Sequence, residues 1–244
     1  GEQVEGRRAV RELLAAGRRR THDLWVAAEG DEIAGLAEIL GLAADRRVAV
    51  HRVSPGRLAA EARTAVPQGV IAHAEPLAEE ALDQLTRRRP GQPAPFLLVL
   101  DGVTDPQNVG ALLRTAACAG VTGVVLPRHR AAHVTPSVAK AAAGAVEHLP
   151  FAVVAGIPAA LAELAGAGVW ALGLDPSADR PLYDVEVLAE PVALVLGAEG
   201  AGLHRLVRAR CDVVAAIPQV GPLSSLNVAA AGAVACFEVA RARR

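Results

Sequence analysis

Short, continuously apolar runs and longer stretches with apolar residues every three or four positions alternate along most of the chain. The runs read as buried strands, and the periodic stretches as helices that bury one face. In the first third, "GRRAVRELLAA" (6–16) predicts an amphipathic helix, "DLWVAA" (23–28) a strand, "EIAGLAEILGLA" (32–43) a helix and "RVAVHRV" (47–53) a strand. A helix over "RLAAEAR" (57–63) and a strand over "GVIAHAE" (69–75) complete a compact α/β unit spanning 1–75. Residues 79–89 suit a short polar helix. The prolines, glycine and arginines of "RRRPGQPAP" (87–95) mark a linker, so 76–95 separates two domains.

The second domain, 96–244, opens on the apolar strand "FLLVLDG" (96–102). A helix (106–119), strand (123–127), helix (135–146), strand (151–154) and helix (158–166) follow. Strands at 169–174 and 192–196, a helix at 201–209, a strand at 213–217 and a last helix at 224–241 complete it. Apolar strands alternating with helices predict an α/β domain whose parallel sheet is covered on both faces. In such sheets ligands sit beyond the carboxyl ends of the strands.

Composition changes this picture little. The chain is 52% hydrophobic but only 2% aromatic, so Val, Leu, Ile and Ala must fill the core. A net charge of −1 gives no bulk attraction for nucleic acid, yet Arg18, Arg19 and Arg20, and again Arg87, Arg88 and Arg89, are clustered. Each cluster reads as a solvated surface, and each also suits phosphate contacts. Cys118, Cys211 and Cys236 are an odd number without C-x-x-C spacing, which predicts a reducing cytoplasm and no metal site. No apolar run reaches the ~18 residues of a membrane span, and no signal-peptide pattern opens the chain. Gly1 stands first and no methionine occurs, so the native start is expected upstream.

Three strand-end loops carry unusual residues. In "DGVTDPQNVGALLRTAACAG" (101–120), Asp105 before Pro106 suits a helix start. Gly110 and Arg114 then share a face away from the apolar stripe, with Asn108 nearby. In "LVLGAEGAGL" (194–203) glycines surround Glu199, allowing backbone groups to face a ligand. In "AAIPQVGPLSSLNV" a Gly/Pro loop leads to Ser225 and Asn227 at the head of an apolar helix, where they suit capping.

The series N-x-G-A-x-x-R-T, G-A-E-G-x-G-L and I-P-x-x-G-x-x-x-S-L-N-V resembles the three motifs of the SpoU (TrmH-type) RNA ribose 2′-O-methyltransferases of the SPOUT class. With "VEGRRAVRELL" and "VPQGVIAHAE", the N-terminal part is similar to the substrate-binding domain of RlmB-like 23S rRNA guanosine 2′-O-methyltransferases. Gln219 stands where the family usually has Met, and Ala229 where Ser often follows. The resemblance implies a deep trefoil knot in the C-terminal domain, S-adenosylmethionine as cofactor, RNA as partner and a homodimer. It makes 1–75 the RNA-binding domain, with Arg18, Arg19 and Arg20 as contacts. It implies that Leu196, Gly197, Gly202, Ile217, Gly221 and Leu226 hold the cofactor. Asn108, Arg114, Glu199, Ser225 and Asn227 become the polar active-site residues.

Methyl transfer from a sulfonium to a ribose hydroxyl releases a neutral thioether, so no general acid is needed. In-line placement and loss of the hydroxyl proton are the requirements. Arginine stays protonated, so Arg114 reads as a cation that eases that loss and holds the adjacent phosphate. The same chemistry on tRNA or another rRNA nucleotide, including resistance methylation, is an alternative reading. So is an RNA-binding module without catalysis, although the intact motifs speak against it. The missing early G-x-G-x-x-G speaks against a nicotinamide dehydrogenase. The last helix carries Val228, Ala231, Val234, Ala235, Phe237 and Val239, which suits burial between subunits or within its own domain.

Overall fold

The computed structural model describes residues 2–27, 35–87, 90–129 and 134–244. The chain divides into two compact units, Gly1–Leu77 with Val134–His148, and Ala78–His133 with Leu149–Arg244.

In the first unit, β1 (Glu2–Glu5), β2 (Thr21–Ala27), β3 (Ala49–Val53) and β4 (Val70–Ala74) form a sheet in the order β1-β4-β2-β3. The β2–β3 pair is parallel and the others antiparallel. Helices α1 (Arg7–Ala16) and α2 (Leu36–Asp45) cover one face, burying Val10, Leu13, Leu14 and Ile39 against Leu24 and Val26. The start of the helix expected at 32–43 lies outside the described residues, as does residue 28. Helix α3 (Pro55–Glu61) covers one end of the other face, where Ala27, Val53, Leu58 and Ile71 make a small second core.

Strand β1 gives the α1/α2 core a single apolar residue, Val4, while Gln3 and Glu5 are buried on its other face. The buried Glu5 carboxylate accepts hydrogen bonds from the Arg63 N–H (2.6 Å), the Thr64 N–H (3.0 Å) and Gln3 Nε2 (2.9 Å).

The second-domain boundary read from the sequence included residues 134–148, which in the structure belong to the first unit. Here the expected helix is split. α6 (Pro136–Ala141), capped by Thr135, stops where Ala143 (φ 52°) and Gly144 (φ 84°) turn left-handed, and a 3₁₀ turn follows at Ala145–His148. That turn holds Glu147, whose side chain is 1% exposed and pairs with Arg19 Nη2 at 2.6 Å. Arg19 also pairs with Glu2 at 2.5 Å and donates to the Glu75 carbonyl at 2.8 Å. Burial pulls the Arg19 pKa down, but the bonds to Glu147 and Glu2 outweigh it and the guanidinium stays above its ordinary value. Arg19→Ala is expected to lower stability by about 3–5 kcal/mol, because it strands a buried carboxylate. Urea melts of the full chain test this; an unchanged midpoint would contradict it.

In the second unit, β5 (Phe96–Asp101), β6 (Gly123–Pro127), β7 (Phe151–Val154), β8 (Trp170–Leu174), β9 (Val192–Gly197) and β10 (Val213–Ala215) form a parallel sheet in the order β10-β8-β9-β5-β6-β7. The central pair β5 and β9 is buried throughout, which explains its unbroken apolar sequence. Helices α4 (Leu82–Thr86), α7 (Ile157–Gly166) and α8 (Arg205–Arg208) pack on one face through Leu82, Leu85, Ile157, Leu161 and Val207. Helices α5 (Pro106–Ala119) and α9 (Val228–Ala242) pack together, and α9 also meets β9. Gly232 permits this approach: a Cβ there would lie 2.2 Å from Leu112 Cδ2 and 2.8 Å from Leu196 Cδ1.

Strand order reverses at β5, whose neighbours are β6 and β9. Asp101 pairs in register with Gly197, so the loops leaving β5 and β9 start side by side. This is the crevice where α/β sheets receive ligands.

Candidate active site

The loop after β9 closes on itself. Ala198 N–H donates to the Gly202 carbonyl at 3.0 Å, and Gly202 N–H donates to the Ala198 carbonyl at 2.8 Å. Gly200 (φ 78°) and Gly202 (φ 67°) supply the left-handed conformations this turn needs. Gly197 meets a stricter limit, since a Cβ there would sit 2.2 Å from the Gly202 carbonyl carbon and 2.3 Å from Leu203 N. Glu199 is thereby held at an exposed tip.

Three residues far apart in sequence meet at that tip. Asn108 Nδ2 donates to Glu199 Oε2 at 3.1 Å, and Asn227 Nδ2 donates to Asn108 Oδ1 at 3.0 Å and to Glu199 Oε1 at 3.4 Å. The helix starts fix the two asparagines. Asp105 caps α5 by accepting from Asn108 N at 2.8 Å, and Asn227 Oδ1 caps α9 by accepting from Ala229 N at 2.9 Å and Ala230 N at 3.3 Å. With its oxygen used as a cap, Asn227 can present only its amide nitrogen to Asn108 and Glu199. Glu199 accepts from both amides and so ties the three motif loops together.

Beside this group lies a cavity of roughly 590 Å³, within the range of small-molecule sites. Leu196, Gly197, Gly202, Ile217 and Leu226 line it, as do Glu199, Ser225 and Asn227. Gly221 does not; it lines a shallower depression with Pro218 and Pro222. Helix α9 begins at Val228, not at 224, because Pro222 and the serines precede the Asn227 cap. Ser225 therefore lines the cavity without capping the helix. Arg114 is exposed on α5, does not line the cavity, and makes no hydrogen bond or ion pair among the described residues.

Sequence reading missed the wall formed by Asp175, Pro176 and Ser177 after β8. Asp175 accepts from Ser177 N (2.8 Å), Ser177 Oγ (2.7 Å) and Arg208 Nε (2.8 Å). Burial raises its pKa, but these partners outweigh that and hold it below the usual value. The "DPS" turn after an apolar strand was its only signal. Among the proposed RNA contacts, Arg18 and Arg20 are exposed, but Arg19 is consumed by its internal ion pairs. Among the described residues no group of three His, Cys, Asp or Glu could hold a metal ion, and no helix is long and apolar enough to cross a membrane.

The cavity lies beyond the carboxyl ends of β8, β9 and β10, where parallel α/β sheets take small-molecule ligands, and the chain carries a second, mixed-sheet unit besides. Residues 95–237 match the SpoU rRNA Methylase family, and residues 3–80 match the RNA 2′-O ribose methyltransferase substrate binding family. The chain belongs to the SpoU rRNA methylase family, RNA 2′-O-methyltransferases that use S-adenosylmethionine. It is 38% identical to the 23S rRNA (guanosine-2′-O-)-methyltransferase RlmB of Pseudomonas putida, over 100% of this chain and 97% of that protein. It is 40% identical to the same-named protein of Pseudomonas aeruginosa, over 99% of this chain and 97% of the other. The crystal structure of the SpoU methyltransferase AviRb from Streptomyces viridochromogenes in complex with AdoMet superposes with a TM-score of 0.82 at 25% identity, covering 98% of this chain and 89% of that one.

The cavity fits this cofactor. Its roughly 590 Å³ suits a molecule of that size, and its walls combine the backbone of the 197–202 turn with the apolar side chains of Leu196, Ile217 and Leu226.

Proposed function

We propose that the chain methylates the ribose 2′-hydroxyl of a guanosine in 23S rRNA. The observation that carries this reading is the Asn108–Glu199–Asn227 hydrogen-bond group, which joins all three motif loops at the edge of the cavity. Full-length relatives named as 23S rRNA guanosine 2′-O-methyltransferases support the choice of RNA. Bound S-adenosylmethionine supplies an electrophilic methyl group. The residues of the chain supply position and charge. The Asn108–Glu199–Asn227 group fixes the loops that shape the site, Ser225 offers a hydroxyl at the cavity wall, and Arg114 takes the RNA phosphate. A cation there also favours the alkoxide form of the nearby hydroxyl. The hydroxyl proton leaves to water, with Arg114 remaining a cation throughout.

The first unit selects the RNA, with Arg18 and Arg20 among its phosphate contacts. The C-terminal domain carries the trefoil knot of the family, and the protein works in the cytoplasm. The test is incubation with unmodified 23S rRNA and labelled cofactor: label in a 2′-O-methylated guanosine is expected, and label on a base would overturn the reading.

The protein acts as a homodimer. Helix α9 buries one side against α5 and β9 but leaves Val234 (36% exposed) and Phe237 (49%) open on the other. An exposed phenylalanine is costly in a chain with three of them, and a second copy would cover it. Sedimentation at micromolar concentration is expected to show dimer, and Phe237→Glu to shift it to monomer. A wild-type monomer under those conditions would contradict this.

A further inference from the structure

The sheet face of the first unit opposite α1 and α2 is only partly covered. Helix α3 seals the end holding Ala27, Val53 and Ile71. Beyond it, three ring-bearing side chains lie on three adjacent strands. Trp25 on β2 pairs in register with His51 on the edge strand β3, so both point to this face. Asp23 pairs with His73 on β4, which puts the His73 ring beside Trp25, edge to face with centroids 5.7 Å apart. His51 is exposed, and Trp25 and His73 are half-buried. Trp25 packs on the Val53–Leu58–Ile71 cluster and leaves the rest of its ring open.

The charges on this shelf are unevenly committed. Asp23 Oδ1 lies 2.6 Å from His73 Nδ1, and Glu61 Oε1 lies 3.9 Å from His73 Nε2, so the acidic groups face an imidazole. The Arg57 guanidinium sits over the Trp25 ring, 5.0 Å from its centroid, and makes no hydrogen bond or ion pair among the described residues. An exposed imidazole and an arginine layered over a tryptophan suit one kind of ligand: an unpaired nucleotide, whose base stacks on the Arg57–Trp25 layer beside His51 and whose phosphate takes the unused guanidinium donors. A duplex, whose bases are stacked on one another, offers nothing to these rings.

We propose that Trp25, His51 and Arg57 form a stacking platform for unpaired nucleotides of the RNA substrate. The inference rests on the reading that this protein acts on RNA and adds which unit face engages it and in what state. The platform gives the first unit a means of finding single-stranded segments, where phosphate contacts alone would bind any RNA.

The test uses the full chain carrying Trp170→Phe, which leaves Trp25 as the sole tryptophan. A fluorescein-labelled, unstructured oligouridine gives binding by anisotropy, and an unlabelled copy gives quenching of Trp25. Saturable quenching with the same midpoint as anisotropy is expected, together with binding about tenfold weaker for an RNA duplex of equal length. In the wild-type background, Trp25→Ala is expected to weaken oligouridine binding roughly tenfold, and Trp25→Phe to retain it within about threefold, since a phenyl ring still stacks. Thermal unfolding and S-adenosylmethionine affinity are expected to stay unchanged in the phenylalanine variant. Binding seen by anisotropy without quenching, or equal affinity in Trp25→Ala, would overturn the platform and leave the RNA reading standing. Failure of the wild type to bind any RNA would overturn both.

Discussion

Arg114→Ala is expected to slow single-turnover methyl transfer roughly 10²–10⁴-fold at saturating RNA and cofactor, the range for lost charge stabilisation or proton-transfer help. S-adenosylmethionine affinity should not change, because Arg114 does not line the cavity. Arg114→Lys separates the roles it could play. Lysine keeps the charge and loses the planar fork, so substantial activity points to charge alone and near-complete loss to bidentate phosphate positioning. The exposed position of Arg114 on α5, the helix packed against α9, adds a condition. If dimerisation completes the site, co-expressed Arg114→Ala and Glu199→Ala chains regain activity that neither has alone, since one of the two sites in each mixed dimer then has both groups. No recovery would place Arg114 and Glu199 in the same chain's site. An Arg114→Ala rate within a few-fold of wild type would make Arg114 an ordinary surface residue.

Gly197→Ala is expected to abolish cofactor binding nearly as fully as Gly197→Val. The collision is with the protein's own backbone: even a methyl group would lie 2.2 Å from the Gly202 carbonyl carbon. The 198–202 turn would have to open, carrying Glu199 away from Asn108 and Asn227. With that wall of the cavity displaced, calorimetry should show no measurable cofactor binding. Gly200→Ala is the control. Its Cβ would meet nothing within 4 Å, and only its φ of 78° opposes a side chain. That cost is about 1–2 kcal/mol, and weaker but measurable binding is expected. Equal binding by Gly197→Ala and wild type would show that this turn does not shape the cavity.

The second sheet was legible because β5 and β9 are buried on both faces and therefore read as unbroken apolar runs. The first unit hid more. Strand β1 offers only Val4 to the core, and Gln3 and Glu5 are buried on its other face by hydrogen bonds that periodicity does not register. Segment 134–148 follows β6 in sequence but belongs with α1 and Arg19, a long-range ion pair that no local pattern announces. A cut after residue 75 would thus strip α6 and Glu147 of their packing. Arg19 looked equivalent to Arg18 and Arg20, because a run of like residues carries no sign of which one turns inward. At the site, Asn108, Glu199 and Asn227 stood out through loop chemistry, as polar residues among glycines or at helix starts. Asp175 did not, because an Asp-Pro-Ser turn is common wherever a strand ends.

The most direct test of the account is nucleoside analysis of 23S rRNA methylated in vitro. Unmodified 23S rRNA is incubated with S-adenosylmethionine and either the wild-type chain or Glu199→Ala, digested to nucleosides and resolved by mass spectrometry. The account predicts 2′-O-methylguanosine with the wild type and a large loss of it with Glu199→Ala, which cuts the tie between the Asn108–Asn227 pair and the loop after β9. A methylated base in place of a methylated ribose, or equal product from both proteins, would contradict it.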